Sequence, residues 1–381
     1  MTRGVKTSRF LLFESASIWC GGSGLRAITG SASKDPDLQC LGLHLGLLSL
    51  SSDRLGQRMK KVLLVCFDNL GDLVFASALA KALSLGEGIH LSLLCKDYTA
   101  KIGYLLPGIE QVFAADPYWD KAPNRKKGKL ANFLRCLTTV RDQRFDEAFI
   151  IGSNWQSALA IRLLGIRKIY AFNGRKNRIF LTKALPLPSR TEPVVEGILK
   201  SFAPLLPQTV PANTELNRSA LPHYERPDIL RGKIIVVLHA FAGSAKRCAP
   251  LSLWGQLARK LSEDGLHVLW TGMPSETQTV RKAFPGEWDA SHFVDTWATD
   301  LLQLAWIWSE SQLFVGHDSG PLHVANALGI PVLGLYLPGE PLRTFPQGKA
   351  KSLMIHKSSP LELDVEEVIA GACALLVKEA M

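Results

Sequence analysis

One stretch, residues 313–336, constrains the fold more than any other part of the chain. An apolar run at Leu313–Val315 leads through a polar turn into a one-sided helix, which a second apolar run follows. Pro321 suits the first helical turn, where a missing N–H costs nothing, and Gly329 followed by Pro331 ends the helix. The pattern therefore predicts strand, turn, helix and strand, with a helix start that can bind an anion.

The turn itself is rich in polar side chains. Asp318 or Ser319 can cap the helix, and His317 and His323 lie close by in sequence. A helix start of this kind suits a nucleotide diphosphate. A lone helical histidine, however, is more often structural, and we keep that alternative for His323.

The same alternation of strands and helices recurs along the chain. Lys61–Phe67 is almost wholly apolar, as expected for a strand buried on both faces of a parallel sheet. Such alternation predicts doubly wound α/β sheets, whose ligands bind beyond the carboxyl ends of the strands. We predict strands at 61–67, 90–95, 111–114, 147–151, 168–172, 233–239 and 267–270, and helices at 73–84, 130–142, 155–164, 192–202, 253–262 and 301–308.

The chain is long enough for two domains. We place a first α/β domain at 59–225, with a proline-rich connector at its end, and a second at 226–381. Residues 1–58 show no sustained period and do not belong to the predicted fold. They are either a targeting leader or a disordered or upstream-translated extension, with Met59 as the natural start; we favour the extension.

The composition limits the classes of partner and the cellular compartment that we expect for this chain. The formal net charge is +10, which favours anionic partners such as nucleotides, phosphorylated lipids or a membrane surface. No nucleic-acid-binding motif accompanies the charge, so we expect no nucleic acid. The seven cysteines are an odd number without a C-x-x-C pair, which argues against a disulfide framework and fits a reducing cytosol. No apolar run reaches the ~20 residues of a membrane helix.

Two aspartates stand at the end of the first predicted strand. Asp68 follows it directly and Asp72 lies at the next helix start, behind Gly71. A carboxylate there can act as a general base toward a hydroxyl that attacks a substrate. The alternative for Asp72 is a charge that merely stabilises the helix start.

Two basic clusters lie in the first domain, at 121–135 and 162–183. Most such runs are solvated faces, but two of them near predicted loops favour an anionic acceptor or a membrane contact. We assign the acceptor side to Asp68, Asn69, Arg125 and Lys126.

The second domain supplies two further groups at strand ends. Lys246 and Arg247 are candidate phosphate ligands, although they also fit a flexible surface loop. Glu276 can accept hydrogen bonds from a ribose or can simply occupy the first turn of a helix. The sequence contains no tight metal-ligand spacing, no G-x-G-x-x-G and no P-loop, so we expect neither a metal nor a cofactor.

Three motifs, in order along the chain, carry a resemblance to a known family. They lie between Met59 and the chain end, at strand ends of both predicted domains. Because of these motifs, the chain resembles the bacterial lipopolysaccharide heptosyltransferases. These enzymes form glycosyltransferase family 9 and have the GT-B fold. The motifs are Leu70-Gly71-Asp72; Ala245-Lys246-Arg247 with Pro250; and Gly316-x-Asp318-Ser319-Gly320-Pro321-Leu322-His323, trailed by Pro338-x-x-Pro341-x-Arg343-x-x-Pro346.

The resemblance implies two Rossmann-like doubly wound domains facing across a cleft. It implies an inverting transfer of heptose from ADP-heptose to an anionic, lipid A-linked inner-core acceptor, in the cytoplasm or peripherally on the inner membrane. Asp72 then corresponds to the general base, Lys246 with Arg247 to ligands of the donor phosphates, and Glu276 to a ligand of the donor ribose or sugar. The diphosphate segment comprises Asp318, Ser319, Gly320, Leu322 and His323.

Three departures from the family pattern lie in the first predicted strand, in the first predicted helix and beside the candidate phosphate ligands Lys246 and Arg247. Cys66 stands where the family often has Arg or Lys, and Cys248 where it often has Trp. Phe75-Ala76-Ser77 replaces a usual T-T-P. The donor side is therefore expected to be intact and the acceptor side altered, which leaves another nucleotide sugar, or nucleotide binding without catalysis, as alternatives.

Overall fold

The computed structural model of the protein describes residues 59–120, 128–225, 228, 231–286, 292–294 and 300–376. Within them the chain forms two six-stranded sheets, in which all the strand pairs are parallel. The strands of the first sheet are β1 (Lys60–Cys66), β2 (Ile89–Cys95), β3 (Ile109–Ala114), β4 (Glu147–Ile150), β5 (Lys168–Phe172) and β6 (Lys183–Leu185). Those of the second are β7 (Ile235–His239), β8 (His267–Trp270), β9 (His292–Val294), β10 (Leu313–His317), β11 (Val332–Tyr336) and β12 (Ser352–His356).

Both sheets have the doubly wound strand order. The first runs β3-β2-β1-β4-β5-β6 and the second β12-β11-β10-β7-β8-β9, so each has its earliest strand beside its fourth. In such sheets the chain leaves the two central strands in opposite directions, which opens a crevice at their carboxyl ends. The crevices lie after β1 and β4 in the first sheet and after β7 and β10 in the second. The predicted fold class, two Rossmann-like α/β domains, is confirmed.

Helices connect the strands throughout. They are α1 (Leu70–Phe75), α2 (Ser77–Ser84), α3 (Ala100–Gly103), α4 (Leu130–Asp142), α5 (Trp155–Leu163), α6 (Val194–Phe202), α7 (Leu251–Glu263), α8 (Pro274–Ala283), α9 (Leu301–Ser309), α10 (Gly320–Ala327), α11 (Pro341–Thr344) and α12 (Val365–Leu376). None of the helices in the described ranges combines the length and the apolar character needed to cross a bilayer.

The helices of the first domain cover its sheet from both sides. Val62 and Leu64 point into one core together with α1, α2 and α6. Leu63 and Val65 point to the opposite side, where α4 and α5 pack with Phe180. This alternation follows from the period of two along a strand. We call α4, α5 and the short helical turn Arg178–Phe180 the outer layer.

Several predicted elements differ in detail. The helix predicted at 73–84 is two helices, α1 and α2, which meet at Ala76. The short strands β6 and β12 and the helix α12 were not predicted. The Gly272–Glu276 turn proves to be the start of α8, with Pro274 as its first residue. The domain boundary at 225/226 and the role of residues 1–58, which lie outside the described residues, stay predictions.

Candidate active site

A cleft of 1260 Å³ lies between the two domains. Its lining follows the carboxyl ends of β1, β4, β7 and β10, as the strand order demands. The polar or charged side chains of the lining are drawn from both domains. They are Asp68, Asn69, Lys96, Tyr98, Asp120, Ser153, Asn154, Gln156 and Ser157 on the first-domain wall, and His239, Arg247, Glu276 and Ser319 on the second-domain wall.

The starts of α1 and α10 meet across this cleft. A Cβ on Gly320 would lie 2.7 Å from Leu70 Cβ, closer than two side chains can approach. A Cβ on Gly71 would lie 3.2 Å from Cδ2 of His323. Because these two positions have no side chain, the two helix starts pack closely and the two domains share a contact at the floor of the site.

Asp72 lies in the first turn of α1. Its Oδ2 accepts a hydrogen bond of 3.1 Å from the backbone N–H of Asn69, which closes a capping box. Burial raises the pKa of Asp72, while the bond from Asn69 and the neighbouring His323 oppose the shift. In this arrangement Asp72 stands behind the cleft wall, since Asn69 and Gly71 line the cleft and Asp72 does not.

Asp68 projects into the cleft from the same turn. Its side chain reaches solvent, yet protein surrounds it on most sides. That burial, followed by the charge of Asp72, raises the pKa of Asp68 to about 6. Close by, Lys96 is almost fully buried and forms an ion pair of 2.7 Å with Asp120. The first-domain wall thus presents two carboxylates around one ammonium group.

At the start of α10, Ser319 is the N-cap residue and Pro321 lies in the first turn, as predicted. The Ser319 side chain makes no capping bond, and its buried Oγ has no hydrogen-bond partner within the described part of the chain. Ser319 and Gly320 line the cleft, so the helix start with its free N–H groups faces the open space. This geometry suits an anion.

Asp318 is held by cationic and polar neighbours. Its Oδ2 lies 3.6 Å from a guanidinium nitrogen of Arg247 and accepts a bond of 3.2 Å from Thr344 Oγ1. Its Oδ1 lies 3.3 Å from Nε2 of His323. Arg247 also donates to the Asp318 carbonyl at 3.3 Å. Asp318 therefore orients Arg247 along the cleft wall and does not itself line the cleft.

The two cations of the predicted phosphate loop lie in different places, one inside the cleft lining and one outside it. Residues 245–247 form one short helical turn, in which Arg247 lines the cleft and Lys246 is exposed outside its lining. His317 anchors the end of the loop: its Nε2 accepts from the N–H of Ala249 at 3.1 Å, and its Nδ1–H donates to the Leu335 carbonyl at 3.4 Å. His317 is fully buried, so it is a structural residue and not part of the anion site.

Glu276 closes the far side of the second-domain wall. It lines the cleft, and its Oε2 accepts a bond of 2.8 Å from the backbone N–H of Met273. Burial raises the pKa of Glu276. The side chain packs over Gly272, where a Cβ would lie 2.9 Å from Oε2. Glu276 therefore caps α8 through Oε2 and is at the same time part of the cleft lining.

His239 is a cleft residue that the sequence analysis did not single out. It ends β7, lies in the lining, and its Nδ1–H donates to the Thr271 carbonyl at 3.0 Å. Burial lowers the pKa of His239 to about 4, so the ring is neutral and Nε2 is an acceptor. The sequence signal that could have identified His239 is its position as a polar residue at the carboxyl end of an otherwise apolar strand.

The remaining predicted residues occupy different surroundings. His323 is buried against the ring of Phe75, at 4.7 Å between centroids, and does not line the cleft. The side chain of Leu322 is fully buried in the core, so only its backbone can reach a ligand. Arg125 and Lys126 lie outside the described residues. Within the described ranges no group of three or more metal-ligating side chains lies together.

The match to a protein family shows which class of enzyme this chain is. Residues 133–367 match the model of glycosyltransferase family 9 (heptosyltransferase). The chain belongs to this family. It is therefore an enzyme that transfers a glycosyl group, and the resemblance drawn from its three motifs is confirmed.

Individual members of the family agree with this assignment. Lipopolysaccharide heptosyltransferase 3 of Escherichia coli is 25% identical over 222 residues, which span 55% of this chain and 64% of that protein, just under two thirds. The solved structure of E. coli ADP-heptose lps heptosyltransferase II has a TM-score of 0.67 at 18% identity and covers 84% of this chain and 100% of its own. E. coli heptosyltransferase WaaC with ADP has a TM-score of 0.69 at 18% identity, covering 83% and 99%. At these identities the two structures show the shared GT-B fold.

Proposed function

We propose that this glycosyltransferase moves heptose from ADP-heptose to a sugar of the lipopolysaccharide inner core. The observation that carries the proposal is the meeting of two helix starts in one cleft, one with carboxylates and one with free N–H groups and Arg247. The first suits a proton acceptor and the second a diphosphate. The E. coli relatives named for heptose transfer, and the neighbour that contains ADP, support this choice of donor.

In the proposed reaction an acceptor hydroxyl oxygen attacks the anomeric carbon of the donor from the side opposite the diphosphate. The bond from that carbon to the phosphate oxygen breaks, ADP leaves, and the anomeric configuration inverts. The hydroxyl proton passes to a carboxylate, which we assign to Asp72. For this step its side chain must be reached from the cleft, because it stands directly behind the lining residues Asn69 and Gly71.

The leaving diphosphate gains negative charge as the bond breaks. The N–H groups at Ser319 and Gly320 and the guanidinium of Arg247 stabilise that charge, with Lys246 as a further cation at the loop. Glu276 and His239 line the same wall and offer acceptors to the ribose hydroxyls of the donor. Asp318 and His323 hold Arg247 and the helix start in place.

The acceptor end of the cleft is the first-domain wall. Asp68 and Asp120 there suit hydrogen bonds from sugar hydroxyls, and Trp119 offers an apolar face beside them. Arg125 and Lys126, which lie outside the described residues, stay predicted ligands of the anionic groups of a lipid A-core acceptor. A location in the cytoplasm also remains a prediction.

The proposal is tested by mass spectrometry of the product after incubation with ADP-heptose and a set of truncated lipid A-core acceptors. We expect the mass of one acceptor to rise by one heptose, with release of ADP. A panel of ADP-, UDP- and GDP-hexoses serves as the control for the donor. Transfer from one of those donors with no transfer from ADP-heptose would refute the donor assignment and leave the family assignment intact.

A further inference from the structure

The first-domain wall of the cleft has a charge pattern that bears on the identity of the acceptor sugar. Among the described residues, its charged side chains are the carboxylates of Asp68 and Asp120 and the ammonium of Lys96. With both carboxyls ionised, two negative charges and one positive charge leave this wall a formal net charge of −1. Its other polar side chains are neutral hydroxyls and amides, those of Asn69, Tyr98, Ser153, Asn154, Gln156 and Ser157.

The ammonium of Lys96 is already used inside the protein. Its side chain is only 4% exposed, and its Nζ lies 2.7 Å from Oδ2 of Asp120. Because separating a buried ion pair is strongly unfavourable, Lys96 stays with Asp120 when a ligand enters. The other lining cation of the described residues, Arg247, lies on the opposite wall beside Asp318, at the expected diphosphate. An anionic acceptor sugar would therefore meet no free cation among the described residues that line the cleft.

The carboxylate of Asp68 lies over the crevice between the central strands β1 and β4. A Cβ on Gly152, the second residue after β4, would lie 3.7 Å from Oδ2 of Asp68. This is the place where a doubly wound sheet binds its ligand. An ionised carboxylate can only accept hydrogen bonds, so it suits the hydroxyl groups of a sugar. A carboxylate or phosphate of a ligand at the same place offers no proton and repels Asp68.

Trp119 adds a fixed apolar face next to these carboxylates. Its ring packs edge-on against Tyr118, Phe133 and Phe67, at centroid distances of 4.9, 5.1 and 6.3 Å. Trp119 and Phe67 both line the cleft. An aromatic face beside a few polar groups is a common composition of small-molecule sites, and it suits the C–H surface of a sugar ring. The wall thus offers apolar contact and hydroxyl-binding groups together.

We propose that the acceptor sugar that enters this cleft is uncharged, and that Asp68 and Asp120 select it against sugars with a carboxylate or phosphate group. The hydroxyls of a neutral sugar donate to the two carboxylates, whereas an acidic group on the sugar is repelled by them. Specific sites commonly combine an attractive and a repulsive element in this way. The inference rests on the proposed function, since it concerns the acceptor of the same transfer. It does not restrict anionic groups on the other sugars or on the lipid of the acceptor.

The test compares a methyl heptoside with two acidic derivatives of it. One derivative is phosphorylated at a ring hydroxyl, and in the other the terminal hydroxymethyl group is oxidised to a carboxylate. Ligand-observed NMR with the full chain and ADP measures the three affinities at pH ~8, where Asp68 is ionised. We expect the neutral glycoside to bind ~10–100-fold more tightly than either derivative. Equal or tighter binding of an acidic derivative, or no binding of the neutral glycoside, would overturn the inference.

Two variants of the wall test which residues select the sugar. Asp120→Asn removes a negative charge and releases Lys96 for an anionic group, so the preference for the neutral glycoside should fall ~10-fold. Because an unpaired buried ammonium destabilises a fold, Asp68→Asn is the second variant, and its preference should fall ~3–10-fold. Asp142→Asn, on exposed α4 of the outer layer, is the control for the loss of one charge and should keep the wild-type preference. An unchanged preference in both Asp120→Asn and Asp68→Asn would refute the assignment of these carboxylates as the selecting groups.

The binding measurement keeps this inference separate from the proposed donor. If ADP-heptose is not the donor, no transfer occurs from it, but the ratio of the glycoside affinities is still measured. Transfer assays with truncated lipid A-core acceptors then give a second readout. Transfer only to acceptors that end in a neutral sugar supports both proposals. Transfer to a terminal sugar with a carboxylate or phosphate group would refute the uncharged acceptor and leave the glycosyltransferase activity intact.

Discussion

The starts of α1 and α10 follow central strands of two sheets with the same strand order, yet their electrostatics are opposite. At α1, Asp68 and Asp72 are crowded together and burial raises the pKa of both carboxyls. At α10, the Asp318 carboxylate lies beside the Arg247 guanidinium and within hydrogen-bond distance of His323 and Thr344, and the start of the helix faces the cleft. In the proposed reaction, the same fold element supplies the proton acceptor in the first domain and the anion site in the second. The neighbours of each helix start decide which role it has.

Among the variants that test this contrast between the two helix starts, Asp72→Ala has the largest expected effect. Loss of a general base lowers turnover by ~10²–10⁴-fold, and we expect a decrease in kcat of that size with nearly unchanged ADP affinity. Steady-state kinetics and calorimetry measure the two quantities. The competing carboxylate is Asp68, which lines the cleft directly. If Asp68→Asn abolishes turnover while Asp72→Ala retains it, the base is Asp68 and our assignment is wrong.

The anion site is tested at the two loop cations. Arg247→Ala removes a cleft-lining guanidinium, and Lys246→Ala removes an ammonium group that is exposed in this structure. Because one charge-assisted bond contributes about 1.5–3 kcal/mol, removal of a cation that binds the diphosphate should weaken ADP binding by ~10–100-fold. Calorimetry with ADP distinguishes the two. A normal affinity in Lys246→Ala would show that the loop keeps Lys246 away from the donor, and Arg247 would then be the main side-chain ligand of the phosphates.

The contact between the two helix starts is tested by Gly320→Ala. The added Cβ would meet Leu70 Cβ at 2.7 Å, so α1 and α10 must move apart. Overpacking of this kind typically costs about 1–3 kcal/mol, and we expect a lower Tm together with a higher KM for the donor. Gly329→Ala, at a positive φ of 90° but with open space, is the control for strain away from the cleft. Equal KM values in wild type and Gly320→Ala would show that close approach of the helices is not needed for binding.

Much of this architecture could be predicted from local patterns. The apolar runs of β1, β7 and β10 and the Pro321–Gly329 helix signals depend on neighbours within a few residues, and the structure places all of them as expected. The short edge strands β6 and β12 were not predicted, because three to five residues with mixed burial show little periodicity in the sequence.

The site was less predictable, because side-chain direction depends on contacts between distant parts of the chain. Asp318 and His323 belong to the motif but turn toward each other, while His239, a single polar residue at a strand end, faces the cleft. Lys246 and Arg247 are adjacent in sequence, yet only Arg247 lines the cleft. A motif thus predicts which turn forms the site, and the packing between domains selects the side chains that reach it.

The smallest expected effect concerns the charge of Asp68. Its ordinary pKa of 3.8 rises to about 6 in the folded protein, so the folded state binds a proton more tightly than the unfolded chain. The associated stability is present below pH ~4 and is lost as the pH rises through ~6. Asp68→Asn should therefore raise Tm above pH 6 and have no effect at pH 4. Because the side chain reaches solvent, we expect at most ~2 °C. Thermal unfolding by circular dichroism at both pH values measures this, with Asp142→Asn on exposed α4 as the control for loss of one charge. Parallel curves for Asp68→Asn and wild type would show that the carboxylate is not crowded, and the contrast between the two helix starts would then rest on Asp72 alone.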